Sequence, residues 1–421
     1  MLKTTPRILK SLASGNTFED DGLQNEETCY SSLLRAIYTE SRFLPNESEP
    51  GLYRYRSWLP IDRVLDGSAA PVSYWSEGLA DHLELNKLII TFSGYWPERG
   101  VHMKTGTFKE CEAYSVCARF PIDNGRLVVA SAGNTARAFI RAASENNIPI
   151  LIVIPEKYIN NLYTISSVMD CVRVIAVGSS GDYYDAISLA NKICEFPGFI
   201  NEGGAKNVAR RDGMGTTVLS AAELADAIPD WYVQAIGSGT GAIAAHEANL
   251  RLNGCGAYPA RNMRLLLTQN HPFTPITDAW ARRSKTLAVL DEVEAKRQID
   301  EIDAKVLSNR MPPYSITGGL YDALCASDGI VDSVTNDEIR SGIALFEDTE
   351  GCDICPEAGA ALAVLIKTLE RGIIKKDELV MLNITGGGIH GIWRDLQPRQ
   401  VLPDIIVKPG DVVTEKEITD R

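Results

Sequence analysis

The chain has 421 residues, more than one hydrophobic core usually serves, so two domains are expected. With 45% apolar and 23% charged residues it has the composition of an ordinary water-soluble protein. A formal charge of −13 argues against a nucleic-acid or anionic-membrane surface, yet leaves room for a small anionic substrate in a local basic pocket.

The opening "MLKTTPRILKSLASG" carries basic residues but lacks the apolar core of a secretory signal. Residues 15–50 are polar and acidic around a helical-looking "CYSSLLRAIYTESRFL", followed by the loop "PNESEPG". From residue 87 short β-rich runs alternate with longer amphipathic ones. The strand-like runs are "KLIITF" (87–92), "RLVVA" (126–130), "ILIVI" (150–154), "VRVIAV" (172–177), "WYVQAI" (231–236), "MRLLLT" (263–268) and "LVMLNI" (379–384). Between them lie helical candidates such as "TARAFIRAASENN", "DYYDAISLANKICEF" and "TVLSAAELADAI". Such alternation predicts a doubly wound α/β fold with parallel sheets covered on both faces, whose ligands sit beyond the carboxyl ends of strands. The longest apolar stretch, "IPILIVIP" at 148–155, is too short to cross a bilayer. Nine scattered cysteines suit a reducing compartment, so a cytoplasmic protein is expected. Only Cys352 and Cys355 form a CxxC, with no second pair near it, and the five histidines show no ligand spacing; no metal site is expected.

Three strand ends and one lysine carry chemistry. Lys109, in "HMKTGTFKECEA", follows Gly-Thr-Phe at what reads as the turn into a helix. "SAGNTARAFIRAA" places Ser131, Asn134 and Thr135 where a helix should start; they serve either as caps for its amides or as binders of a carboxylate and a ring oxygen. In "WYVQAIGSGTGAIAAHEANL", Gly237, Gly239 and Gly241, with Ser238 and Thr240 between them, follow a strand and open a helix, as a phosphate cradle does. Position 242 is Ala, and the next strand ends in Gln269 and Asn270 with no acid to hold a ribose, so a lone phosphate fits better than a dinucleotide. Thr385 closes the last strand before three glycines in "ELVMLNITGGGIHGIWRD". An amine, a phosphate anchor and polar partners for a ring are what pyridoxal phosphate (PLP) needs. A hydroxyl such as that of Thr385 cannot supply the charge that keeps a pyridine protonated, which favours elimination and replacement over transamination.

"TGTFKE", "SAGNTA", "ARRDGMGT", "GSGTG" and "ITGGG", in this order, with "GLYRYRSWLP" ahead of them, resemble the fold type II PLP enzymes over roughly residues 50–395. Within that group the chain looks like the threonine synthases. The resemblance implies two doubly wound domains with the cofactor between them. It also implies that Lys109 carries PLP, that Asn134 bonds the ring oxygen, that Gly237 to Gly241 hold the phosphate, and that Thr385 lies beside the ring nitrogen. Threonine synthases usually read S-F-K-D-R-G where this chain has "TFKECE", and follow the final Thr with Gly-His-Gly where this has "TGGGIHG". With those departures the chain is similar to the cysteate synthases of methanogenic archaea, which replace the phosphate of O-phospho-L-serine with sulfite on the route to coenzyme M. The substrate-binding residues that this implies are Arg210 with Asn207 before it for phosphate, and Ser131 and Thr135 for the carboxylate. Lys104 and His102 are further anion contacts, while His390 reads rather as a satisfied loop residue. The expected organisation is an arm and first part of the large domain (1–105), a small mobile domain (106–204) and the main part of the large domain (205–421), in a homodimer. The alternatives are a threonine synthase acting on O-phosphohomoserine, or a non-catalytic protein that binds PLP or an amino acid.

Overall fold

Two parallel sheets take up all seven strand-like runs in the computed structural model, which describes residues 4–131, 133–165, 167–178, 181–411 and 413–419. The larger sheet runs Ile330–Val334, Arg264–Asn270, Trp231–Ala235, Val380–Ile384, Leu88–Phe92 and Val72–Trp75. It is parallel except for the last strand, which lies antiparallel to Leu88–Phe92. The smaller sheet runs Phe199–Asn201, Arg126–Ala130, Ile150–Pro155, Val172–Val177 and Ile405–Val407, parallel throughout. Central strands such as Trp231–Ala235 and Ile150–Pro155 are buried along their whole length, which is why they read as unbroken apolar runs rather than alternating ones.

Helices cover both faces of each sheet. Val208–Ala225 and Thr240–Cys255 pack on one side of the larger sheet, and Asn336–Glu350 with Pro356–Glu370 on the other. The smaller sheet buries Leu127, Ile150 and Ile152 against Lys109–Arg119 and Asn134–Asn146; Val153 and Ile175 meet Tyr183–Ile193 on the opposite face. Helix Lys109–Arg119 also lies close against helix Val208–Ala225. A methyl group at Gly213 would stand 2.2 Å from the Cys111 carbonyl oxygen, so this glycine sets how near the lysine-bearing helix comes to the larger unit.

Two expectations change. The helical-looking segment 29–44 instead supplies the strand Leu34–Tyr38, paired antiparallel with Arg7–Ser11, which pairs in turn with Thr17–Glu19. Leu34, Ala36 and Tyr38 are buried with more open residues between them, a period of two that tertiary contact with the larger core selects. The carboxyl-terminal segment, expected with the larger unit, adds Ile405–Val407 to the edge of the smaller sheet. The Val174 amide donates to Asp404 Oδ2 at 2.8 Å, and Val413 and Ile418 join the adjoining apolar face. An otherwise open edge is thereby covered.

His246, in helix Thr240–Cys255, is 8% exposed and its Nδ1 has no partner among the described residues. Burial, helped by Arg35 and opposed by Glu247, lowers its pKa to about 4. The unfolded chain therefore takes up a proton here before the folded one does. Stability is complete above the ordinary imidazole range and is lost as pH falls from about 6.5 toward 4. Between pH 7 and pH 5 this group is expected to remove about 2 kcal/mol. Urea unfolding of the protein and of His246→Gln at both pH values checks it: the variant should lack that part of the pH dependence.

Candidate active site

The lysine loop is fastened to the end of strand Val380–Ile384. The Phe108 amide donates to the Thr385 carbonyl at 2.9 Å and the Gly387 amide to the Gly106 carbonyl at 3.0 Å. Ile354 and Thr107 bridge the same glycine run from either side. Gly388 there has φ 70°, and a methyl group on it would lie 1.7 Å from the Tyr95 carbonyl oxygen. The glycines after Thr385 thus serve close packing of three backbone segments, and this packing sets Lys109 and Thr385 beside one cleft.

That cleft is lined by Lys109, Ser131, Asn134, Thr135, Arg210, Gly237, Ser238, Gly239, Thr240, Gly241 and Thr385, drawn from both sheet units. Helix Lys109–Arg119 begins at the lysine, so Glu112 comes round to the same face one turn on. Lys109 Nζ lies 3.2 Å from Glu112 Oε2 and 4.9 Å from the centre of the Phe108 ring. Thr135 Oγ1 donates to Glu112 Oε1 at 2.8 Å, and Arg210 Nη1 lies 3.1 Å from the same oxygen. Burial alone would push the Glu112 carboxyl up, but Arg210 and Lys109 outweigh it and hold it below its ordinary range. Arg210 also meets Glu202, through Nε at 2.8 Å and Nη2 at 2.5 Å.

Asn134 Nδ2 donates to Glu357 Oε1 at 3.2 Å, and burial pushes the Glu357 carboxyl up. Ser131 Oγ, at the cleft, accepts from the amides of Gly133 and Ala136 at 3.1 and 3.0 Å. At the other wall, helix Thr240–Cys255 starts at Gly239 (φ 77°), which offers no capping side chain, so the first turn presents backbone amides to the cleft. Val306 to Asn309 also line the cleft, and Arg310 Nη2 bonds Asp182 Oδ2 of the smaller unit at 2.6 Å.

Three expected substrate contacts lie elsewhere. His102 and Lys104 line a separate cleft with Glu49, Arg54 and Arg141, because the chain turns between Lys104 and Lys109. Asn207 caps helix Val208–Ala225, accepting from the Ala209 amide at 2.9 Å and donating to the Glu202 carbonyl at 2.7 Å. His390 is exposed, its Nδ1 3.5 Å from Asp353. The sequence reading passed over Glu112 and Glu357. Glu112 could have been found as the acid three places after the lysine at a helix start; no local pattern marks Glu357. Among the described residues no group of three His, Cys, Asp or Glu is placed to hold a metal, and no helix is long and apolar enough to cross a membrane.

The sequence profile of the family described as pyridoxal-phosphate dependent enzyme matches residues 94–386. The chain belongs to this family. Among relatives of this PLP-dependent enzyme, the cysteate synthase of Methanosarcina acetivorans is 43% identical over 414 residues, 97% of this chain and 98% of that one. The cysteate synthase of Methanoculleus marisnigri is 44% identical over 406 residues, 96% and 94%. Maize serine racemase shares the fold with a TM-score of 0.57 at 15% identity, covering 78% of this chain and 91% of that one. Threonine deaminase isoform 2 of Solanum lycopersicum does so at 0.55 and 17%, covering 77% and 87%. The fold is type II of the PLP enzymes, and PLP is the cofactor.

The residues present suit that cofactor. The uncapped helix start offers donors to a phosphate, and Thr107 lines the cleft with a buried hydroxyl that lacks a partner among the described residues. Lys109 supplies a primary amine whose side chain is 21% exposed, within reach of the cleft and shielded from bulk water. Thr385, at the strand end, offers a neutral hydroxyl.

Proposed function

We propose that this enzyme replaces the phosphate of O-phospho-L-serine with sulfite, giving L-cysteate and inorganic phosphate. What carries the reading is similarity along nearly the whole chain to proteins named cysteate synthase. In the net change the Cβ–O bond of the phosphate ester breaks and a Cβ–S bond forms. Both leaving group and nucleophile are anions.

Bound PLP supplies an aldehyde to take up the lysine or substrate amine and a ring that draws electrons from the substrate Cα. Lys109 would carry it, the amides of Gly237 to Gly241 with Ser238 and Thr240 would hold its phosphate, Asn134 would donate to the ring oxygen, and Thr385 would lie beside the ring nitrogen; all of these residues line the one cleft. The freed Lys109 amine takes the Cα proton of the substrate and gives one back after sulfite has added. Thr135 and nearby amides at the start of helix Asn134–Asn146 hold the substrate carboxylate. Arg210 stays charged, its pKa raised by Glu112 and Glu202 against the effect of burial, and it lines the cleft as a cation for an incoming anion. The segment 306–309, which lines the cleft and leads into Arg310 bonded to Asp182, would help to exclude water that would compete with sulfite. As part of the same reading we place the enzyme in the cytoplasm as a homodimer; nine cysteines scattered along the sequence without a disulfide-like framework support a reducing compartment.

The test is phosphate release by the PLP-loaded protein from O-phosphoserine and O-phosphohomoserine, each with and without sulfite, with the amino-acid products identified. Cysteate formed from O-phosphoserine only when sulfite is present is the expected result. Threonine formed from O-phosphohomoserine without sulfite would replace this reading with that of a threonine synthase.

A further inference from the structure

Glu112 is the group at this site whose presence the reaction itself does not explain. Its carboxylate is completely buried and receives Lys109, Thr135 and Arg210 from three different helices. A buried carboxylate loses hydration that its partners only partly return, and an apolar side chain of similar size usually serves stability as well. Arg210 does not depend on it alone. The guanidinium is already paired with Glu202 through two nitrogens, so one acid balances the one arginine. The cation left for Glu112 to balance is Lys109. Its two oxygens divide the work: Oε1 is fixed by Thr135 and Arg210, and Oε2 faces the lysine amine. An acid held at one oxygen and presenting the other has a fixed direction, and so does whatever it holds.

We infer that Glu112 is a positioning residue that holds the free Lys109 amine at one place and orientation in the cleft, with Thr135 and Arg210 serving as its anchors. The inference rests on Lys109 as the cofactor-bearing lysine. It does not depend on which amino acid the enzyme converts. Each turnover releases the Lys109 amine and takes it back, so a defined resting place shortens its search for the reacting carbon. Misplacing a reacting group by about an ångström costs about 10²-fold in rate.

Loading cofactor-free enzyme with PLP isolates this step from substrate chemistry. A bond forms between Lys109 Nζ and the aldehyde carbon, and one water leaves. Its rate is followed by absorbance, and the attached mass is fixed by borohydride reduction and measured on the intact protein. Glu112→Gln is expected to reach the same final attachment about tenfold more slowly than the parent, and Glu112→Asp to recover part of the rate. In turnover, kcat of Glu112→Gln should fall about 10- to 100-fold while KM for O-phosphoserine stays within about threefold. Thr135→Val, which removes one anchor and leaves the acid, should slow loading in the same direction by a smaller factor. It supplies the test if Glu112→Gln does not fold.

Loading of Glu112→Gln at the parent rate would overturn the inference. So would a loss confined to KM, because that would assign Glu112 to the anion contact of Arg210. Should the parent load PLP on Lys109 but fail to make cysteate, the substrate reading alone would fall and the loading comparison would still stand.

Discussion

Lys109→Ala is expected to lose at least about 10³-fold in turnover and to retain no cofactor mass after borohydride reduction. The proton at the substrate Cα has no other acceptor among the groups placed at this wall of the cleft. Glu112 is held by Arg210 and Thr135, and the Arg210 charge that remains beside it favours its ionised form, which makes it a poor base. The folded state should survive the change, since Glu112 keeps two of its three partners. The checks are turnover, intact-protein mass and thermal melting of both proteins side by side. More than a tenth of the parent activity in Lys109→Ala would remove the lysine from its assigned place.

Gly388→Ala is expected to destabilise the protein by about 3 kcal/mol or more, through a left-handed backbone strained by a side chain and through overlap with a neighbour. The neighbour is the backbone of Tyr95, its carbonyl oxygen 1.7 Å from where the new carbon would sit, and a main chain cannot rotate aside as a side chain does. The turn must shift. Since the Phe108 and Gly387 amides tie the lysine loop to that same turn, the shift reaches Lys109. Urea unfolding should show an earlier midpoint, and the fraction of protein loaded at limiting PLP should fall. A midpoint equal to the parent's would mean that the turn has slack which the packing does not show.

Local patterns in the sequence specified a large part of this protein. Parallel strands buried on both faces require unbroken apolar runs, and each of the seven runs became a strand. Helix starts require particular neighbours, so "GSGTG" and "SAGNTA" announced where amides would collect at strand ends. Ser131, Gly133, Asn134 and Thr135 of one motif and Gly237 to Gly241 of the other line one cleft together with Lys109 and Thr385. Ser131 shows the limit of such reading. A hydroxyl at a helix start serves equally as cap or ligand contact, and only the positions of Gly133 and Ala136 show that it accepts from their amides.

Other features depended on what folding brought near. Leu34–Tyr38 became a strand because Arg7–Ser11 and the larger core offered it an edge and a buried face. Ile405–Val407 crossed to the smaller sheet because an open edge beside Val172–Val177 was there to be paired. His102 and Lys104, only a few positions from Lys109, face another cleft, since a turn redirects side chains that spacing along the chain places together. Sequence by itself determined the seven buried strands and the helix starts that follow them, because these follow from periodicity and from chemistry between near neighbours. Tertiary structure alone decided that Glu112, Thr135 and Arg210 converge, because a buried charge is tolerable only where distant elements deliver its partners.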